Sequence, residues 1–269
     1  MKLGMVGAGN MGSAILRGTL QAGTLASDLM VYDANQEKMG SMAKELGIAA
    51  AASARDLTSQ CDLIFLAVKP DVIGSVIREI APLADGKVLV SMAAGWSLGL
   101  LEKQGGGVPL KLVRIMPNTP AMVNEAMTAV CANSLVKAEE LDQVVQIMDG
   151  IGKVERVSEK LMDAVGGVSG ASPAYVYLFI EAMADGAVLL GMPRQQAYTF
   201  AAQAVLGAAK MVLETGLHPG ALKDMVCSPG GSTIEGVRVL EEQGMRSAVM
   251  GAVIAAAEKT AKMEKENGA

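Results

Sequence analysis

Lys2-Leu-Gly-Met-Val6 opens the chain as a short apolar strand and runs directly into Gly7-Ala-Gly9-Asn-Met-Gly12, a G-x-G-x-x-G. An amphipathic helix follows, predicted near Ala14 to Leu20. Strand, glycine turn and helix in this order are the context that a dinucleotide fingerprint requires. Gly7 permits the tight turn, Gly9 lacks a Cβ and lets the main chain approach a pyrophosphate, and Gly12 lets the helix pack closely on the strand. The phosphates then face the positive end of the helix and its unpaired N–H groups. In a chain with 31 glycines the motif alone carries little weight, and its place ahead of further strand and helix alternation carries more.

That alternation continues outward from the fingerprint. Leu29-Met-Val-Tyr32 reads as a second strand, closed by Asp33, where an acidic side chain accepts hydrogen bonds from the adenosine ribose. A helix from Gln36 to Leu46 leads to a small-residue strand, Ile48 to Ala52. Asp62-Leu-Ile-Phe-Leu-Ala-Val68 is apolar throughout, as in a parallel strand buried on both faces. Lys69-Pro70 ends it and begins a helix, with proline in the first turn. Strands at Lys87 to Met92 and Lys111 to Ile115 end in Ala93-Ala94-Gly95 and Met116-Pro-Asn-Thr-Pro120. Met127 to Ala132 and Lys153 to Val157 are two more strands, around a helix at Lys137 to Met148. In an open parallel sheet, ligands bind at the carboxyl ends of the strands. After Ser158 only helical periodicity remains. The predicted fold is therefore α/β, a Rossmann-type doubly wound sheet over residues 1–157 followed by an all-helical domain over 158–269.

Composition limits what such a chain can do. Hydrophobic residues make up 51% and charged residues 19%, which describes a well-buried globular protein. A net charge of −5 and 3% aromatic residues exclude nucleic acid, since neither a basic stripe nor stacking platforms are present. Core filling falls to aliphatic residues and to 19 methionines, which suit irregular gaps. Cys61, Cys131 and Cys227 lie far apart, so neither a disulfide framework nor a metal site is expected. The fingerprint occupies the place of a leader peptide, and a cytoplasmic address follows.

The helix predicted from Pro173 to about Leu190 is apolar nearly all round. Glu181 and Asp185 at its middle argue against a membrane span. A helix of this kind is normally buried, and the same helix of a second copy would bury it, so a homodimer made by the helical domain is expected. The tail from Glu258 to Glu266 alternates Lys and Glu and reads as a solvated, fraying helix end.

Two loops in the helical half can carry chemistry. Gly166-Gly-Val-Ser-Gly-Ala-Ser-Pro173 precedes the apolar helix, with Ser172 expected at the N-cap and Pro173 at the first helical position. Ser228-Pro-Gly-Gly-Ser-Thr233 opens a later helix, with Ser232 or Thr233 as its cap. Converging helix N-termini would bind a small carboxylate without an arginine. The single histidine, His218 in Leu217-His-Pro-Gly220, reads as a surface helix start. Alcohol oxidation needs a positioned general base, and only Tyr175, Tyr177 and Lys69 are available as stand-ins. An iminium arrives already protonated and needs hydride and correct placement, which suits these residues better. Lys69, beside the pyrophosphate, reads as a phosphate or carboxylate contact more than a base.

Taken together, Gly7-Ala-Gly-Asn-Met-Gly12, Leu66-Ala-Val-Lys-Pro70, Ser91-Met-Ala-Ala-Gly95, Met116-Pro-Asn-Thr-Pro120, Asp163-Ala-Val-Gly-Gly-Val-Ser-Gly-Ala-Ser-Pro-Ala-Tyr175, His218-Pro-Gly220 and Ser228-Pro-Gly-Gly-Ser-Thr-Ile234 resemble the pyrroline-5-carboxylate reductases. The stretches occur in family order over nearly the whole chain. The resemblance implies NAD(P)H-dependent reduction of 1-pyrroline-5-carboxylate to L-proline, the last step of proline biosynthesis. It also implies a helical dimerisation domain that interlocks with a second subunit, and in some members a ring of dimers. Carried over by residue, it places Ala8, Asn10 and Met11 with the glycines at the pyrophosphate. Ala67, Val68, Lys69 and Pro70, with Met92, Ala93 and Ala94, would line the cofactor groove, and Asn118 would lie near the nicotinamide. Substrate contacts would fall on Glu159, Ser169, Gly170, Ala171, Ser172, Gly231, Ser232 and Thr233. The Thr233 hydroxyl would lie near the imine nitrogen, which makes it, with Lys69, a catalytic candidate.

The chain departs from the family at Ala171 and Ser172, where Ser-Gly is usual, and at Met225, where some relatives carry an asparagine that reaches the cofactor. The Cβ of Ser172 narrows that loop. Asp33 disfavours a 2′-phosphate, while Asn35 and Lys38 can help to hold one, so NADP(H) and NAD(H) both remain open. The alternatives are a β-hydroxyacid dehydrogenase or another imine reductase of similar architecture, and a nucleotide-sensing Rossmann protein. The first relies on a lysine after a glycine-rich loop, and none follows Gly170 for many residues. The second has no need of the two serine-rich loops.

Overall fold

The structure is a computed structural model and describes residues 1–268. Its sheet is built from β1 (Leu3–Val6), β2 (Leu29–Tyr32), β3 (Ala49–Ala50), β4 (Leu63–Leu66), β5 (Val88–Ser91), β6 (Lys111–Met116), β7 (Ala126–Ala132) and β8 (Gly152–Arg156). The spatial order is β3-β2-β1-β4-β5-β6-β7-β8. All pairings are parallel except β6 with β7, which is antiparallel. The chain order reverses between β1 and β4, which makes their carboxyl ends the switch point where a doubly wound sheet binds its ligand.

Strand alternation divides the core into two layers. Leu3, Met5, Leu63, Phe65, Val88, Val90, Val113 and Ile115 face one side. There they meet Ile15 and Leu16 of α1 (Asn10–Gln21), Met39 and Met42 of α2 (Gln36–Leu46), and, further along the chain, Val144 and Met148. Val6, Ile64, Leu66, Leu89 and Leu112 face the other. They pack on Leu57 of α3 (Ala54–Gln60), Ile73, Ile77 and Ile80 of α4 (Ile73–Ile80), and Leu101 of α5 (Leu98–Gln104). Val144 and Met148 belong to α6 (Ala138–Asp149). Each such aliphatic side chain, wholly withdrawn from water, contributes about 1.5–3 kcal/mol, so the layers rather than helix propensity hold these short helices.

The expected elements form, with adjustments. Helix α1 starts at Asn10, a turn earlier than predicted, because Gly9 is its N-cap. Lys69-Pro70 does not start a helix: α4 begins at Ile73. Strand β3 shrinks to Ala49–Ala50, whose alanines bury nothing. Helices α3 and α5 were not foreseen; each is seven residues long and begins at a serine cap, Ser53 or Ser97.

Beyond β8 every regular element is helical: α7 (Met162–Val165), α8 (Ser172–Leu189), α9 (Arg194–Thr215), α10 (Pro219–Val226), α11 (Ser232–Glu242) and α12 (Met245–Asn267). By compactness the chain forms two units, Met1–Ala171 with the stretch from Ile254 onward, and Ser172–Val253. The strands thus end beside the expected boundary at residue 157, while the compact division falls at 171/172. Residues past β8 stay with the sheet because Met162 is fully buried in its core. The chain end joins the same unit. Asn267 Nδ2 donates to the Gly95 carbonyl at 2.8 Å, and Gly95, at φ +71°, leaves room for Met263. The charged tail is therefore an anchored helix end, not a fraying one. In the second unit α8 packs along α9, and the Tyr175 hydroxyl donates to the Ala252 carbonyl.

Candidate functional site: a glycine-rich cofactor groove

At the switch point the first unit opens into a cavity of about 830 Å³. Of the residues expected there, Gly7, Gly9, Asn10, Met11, Asp33, Ala67, Val68, Lys69, Pro70 and Met92 line it. Ala8, Gly12, Ala93, Ala94 and Asn118 do not, and the reasons differ. Ala8 is fully buried, and its N–H donates to Asp33 Oδ2 at 2.6 Å. Gly12 lies behind the turn, where a Cβ would come 2.2 Å from the Gly7 carbonyl oxygen. Gly7 itself has φ +107°, and a Cβ there would lie 2.4 Å from the Ala67 carbonyl oxygen. A Cβ on Gly9, by contrast, would meet no protein atom within 4 Å. Gly7 and Gly12 thus answer to the fold, whereas Gly9 faces open cavity.

That open edge fits a pyrophosphate. Helix α1 has no side-chain cap and no acidic residue in its first turn, so its leading N–H groups are free for an anion. Asp33 holds the rim: Oδ2 takes the Ala8 N–H, and Oδ1 takes the Asn35 N–H at 2.8 Å. A carboxylate has about four acceptor sites, so ribose hydroxyls can still be taken. Asn35 caps α2 through the Lys38 N–H, and Lys38 also lines the cavity. Val72, Ser75, Val76 and Glu79 also line the cavity, and sequence reasoning missed them. The amphipathic run Ile73–Ile80 was the available signal, because its polar edge had to face something other than the core. Trp96 Nε1 donates to the Pro70 carbonyl at 2.8 Å, tying the loops after β4 and β5 together.

Asn118 has a structural task. Its Oδ1 accepts the Met127 N–H at 2.9 Å, and its Nδ2 donates to the Ser169 carbonyl at 3.0 Å. The side-chain amide therefore clamps the segment after α7 against the sheet. That segment differs from expectation. Gly166–Gly170 is a π-helical turn, and the Ala171 N–H closes it on the Gly166 carbonyl at 2.8 Å. Ser172 is accordingly the first residue of α8 and not a free N-cap, because helical winding already enters from α7. Glu159, expected to face substrate, is also engaged. Its Oε1 accepts the Leu98 N–H at 2.6 Å and lies 3.4 Å from Arg114 Nη1. Burial holds the neighbouring Asp163 carboxyl above its usual range, against the pull of Arg114. Burial likewise raises the Cys61 and Cys131 thiols to about 11.

In the second unit, α11 starts at Ser232, and Gly231 is its N-cap in place of Ser232 or Thr233. No side chain caps it, and Ser232 and Thr233 are exposed, so its first N–H groups are open. His218 caps α10: its Nδ1 accepts the Gly220 N–H at 3.0 Å, which leaves it a structural part. Among the described residues no helix is long and apolar enough to cross a membrane.

Comparison with known proteins agrees with this geometry. Residues 159–263 match the family model for pyrroline-5-carboxylate reductase dimerisation, and residues 2–95 match a model described as NADP oxidoreductase, coenzyme F420-dependent. The pyrroline-5-carboxylate reductase of Escherichia coli K12 is 52% identical over 266 residues, covering 98% of both chains. The crystal structure of the Plasmodium falciparum pyrroline carboxylate reductase with NADP bound superposes with a TM-score of 0.89 at 36% identity, covering 98% of both chains. A reductase of the same kind from Coxiella burnetii gives a TM-score of 0.91 at 31% identity, over 97% of this chain and 98% of that one. A glycine cradle at the switch point, a helical dimerisation half and full-length likeness at this level lead to one conclusion: the chain belongs to the pyrroline-5-carboxylate reductase family.

Proposed function

We propose that the protein reduces 1-pyrroline-5-carboxylate to L-proline with NAD(P)H, the closing step of proline biosynthesis, as a cytoplasmic homodimer. Full-length likeness to reductases of this activity carries the reading, and the groove at the switch point supports it. The reduced nicotinamide supplies hydride, and the residues of the chain hold and orient. The open first turn of α1 receives the pyrophosphate, Asp33 the ribose, and the exposed Lys69 a phosphate or carboxylate oxygen at the groove. The uncapped amides of Ser232 and Thr233 suit the substrate carboxylate, with Gly231, whose own N–H is held by the Ser228 carbonyl at 3.0 Å, letting it come close. The Thr233 hydroxyl is assigned to the imine nitrogen, and Ser169, Gly170, Ala171 and Ser172 to the ring. Glu159 acts on the substrate side through the segment it anchors. Placement does most of this chemistry, since a protonated imine needs no further base.

The test is oxidation of NADPH and of NADH, measured separately, with purified protein and 1-pyrroline-5-carboxylate. Turnover with the imino acid and none with hydroxyacids is the expected result; the reverse would favour a β-hydroxyacid dehydrogenase. Thr233→Ala should lower kcat/KM roughly tenfold or more, while His218→Ala leaves it nearly unchanged. Equal losses would mean that the pocket has been misplaced. Assembly into a ring of dimers, as in some relatives, is checked by light scattering on the same preparation.

A further inference from the structure

Arg114 is the largest fully buried side chain among the described residues, 2% exposed on β6. Its strand neighbours Leu112 and Met116 belong to the apolar layer that also holds Met162. A guanidinium carries five N–H donors, yet here Nη1 alone makes a hydrogen bond, to Glu159 at 3.4 Å. Asp163 Oδ1 lies 3.9 Å from Nη2, and both of those atoms, with Nε, are buried without a hydrogen-bond partner. Such an arrangement is poorly explained by stability. Buried ion pairs with unspent donors rarely stabilise more than apolar residues of the same shape, and often less.

What Arg114 touches suggests another role. Glu159 and Asp163 flank the start of α7, and three residues beyond Asp163 the π-helical turn Gly166–Gly170 begins. The same turn is gripped near its far end by Asn118, two residues past the end of β6. Glu159 in addition takes the leading N–H of α5. One strand and its exit loop therefore hold the whole segment from 159 to 169, at Glu159, at Asp163 and at Ser169. A π turn is a rare conformation that recurs mostly at functional sites, and here it is held from outside at both ends.

We propose that Arg114 is a positioning residue for imino-acid reduction: through Glu159 and Asp163 it sets the Ser169–Ala171 turn in the place where substrate is met. This rests on the reading of the protein as a pyrroline-5-carboxylate reductase. The expected signature is selective. Loss of Arg114 weakens the handling of the imino acid and spares the cofactor, because the hydrogen bonds and ion pairs of the cluster run to Leu98 and among Arg114, Glu159 and Asp163, and not to the Gly7–Gly12 cradle.

The experiment compares full-length wild type with Arg114→Met and Arg114→Lys at saturating NADPH. Methionine leaves Glu159 and Asp163 without their cation and so should lower the melting temperature, but it should also raise the KM for 1-pyrroline-5-carboxylate about tenfold or more while changing the KM for NADPH less than about twofold, a split that general destabilisation does not produce. Lysine should restore part of the loss. Should the methionine variant fold poorly, Asp163→Asn, which keeps the Glu159 contact, must shift the imino-acid KM in the same direction by a smaller factor. An unchanged imino-acid KM, a parallel loss of both substrates, or failure of both variants to fold would overturn the proposal. Failure of the wild type to reduce the imino acid would instead overturn the functional reading beneath it.

Discussion

The two compact units hide their apolar residues very differently. In the first, Ile15, Leu57, Phe65, Ile77 and Leu112 are all fully buried. In Ser172–Val253 the buried hydrophobic residues among those described are three alanines, Ala184, Ala197 and Ala201. Meanwhile Leu178 is 69% exposed, Phe200 67% and Leu189 89%. The sheet unit closes its own core between two helical layers, and the helical unit has only half a core to offer. Large apolar side chains exposed in such number along its helices mark a surface built to be covered, and the match to a dimerisation model names the cover as a second copy. Stability of the helical unit is therefore tied to protein concentration, and that of the sheet unit is not.

The contrast can be broken by attacking each half. The largest effect is expected from Leu178→Glu with Phe179→Glu, which places two charges on the uncovered face of α8. Sedimentation velocity should show loss of the dimer, and far-UV circular dichroism a loss of helix signal. A stable dimer with both glutamates would end the argument for α8. Next comes Gly7→Ala in the self-sufficient half. A φ of +107° and a 2.4 Å clash with the Ala67 carbonyl oxygen leave a side chain nowhere to go. A loss of about 3 kcal/mol is expected in urea denaturation, whatever the protein concentration, together with loss of NADPH binding in a fluorescence titration. A loss that varied with concentration would blur the distinction between the units.

The smallest effect sharpens the comparison through pH. Cys61 and Cys131, both in the sheet unit, have folded thiol values near 11, raised first by burial. Unfolded thiols ionise at lower pH, so the folded state is favoured below about pH 8.5 and loses ground as pH climbs toward the folded value. Melting temperature should fall over that alkaline range. In Cys61→Ala with Cys131→Ala the fall should be shallower; an identical slope would remove the thiols from the account.

Much of the fold was legible because its signals are local. The apolar run ending at Val68 and the spacing of Gly7, Gly9 and Gly12 follow from strand burial and from where a Cβ has room. The antiparallel direction of β7 was not legible, since a buried strand reads the same either way. Nor were α3 and α5, which are too short for helical periodicity to stand out and which their serine caps alone announce. At the site, residue types were easier to read than their commitments. Asn118 and Glu159 look like free ligand groups in sequence, yet both are engaged with main-chain partners 9 to 61 positions away. The alternating charges of the tail suggested solvent, and nothing local to them reveals that Asn267 reaches Gly95.

Trp96 is the sole tryptophan of the chain, and its indole is hydrogen-bonded to a loop that borders the cofactor groove. Reduced nicotinamide absorbs where indole emits, so filling the groove should quench this one fluorophore by energy transfer. The protein thus carries its own optical gauge of cofactor occupancy, with no second emitter of its kind to confuse the signal.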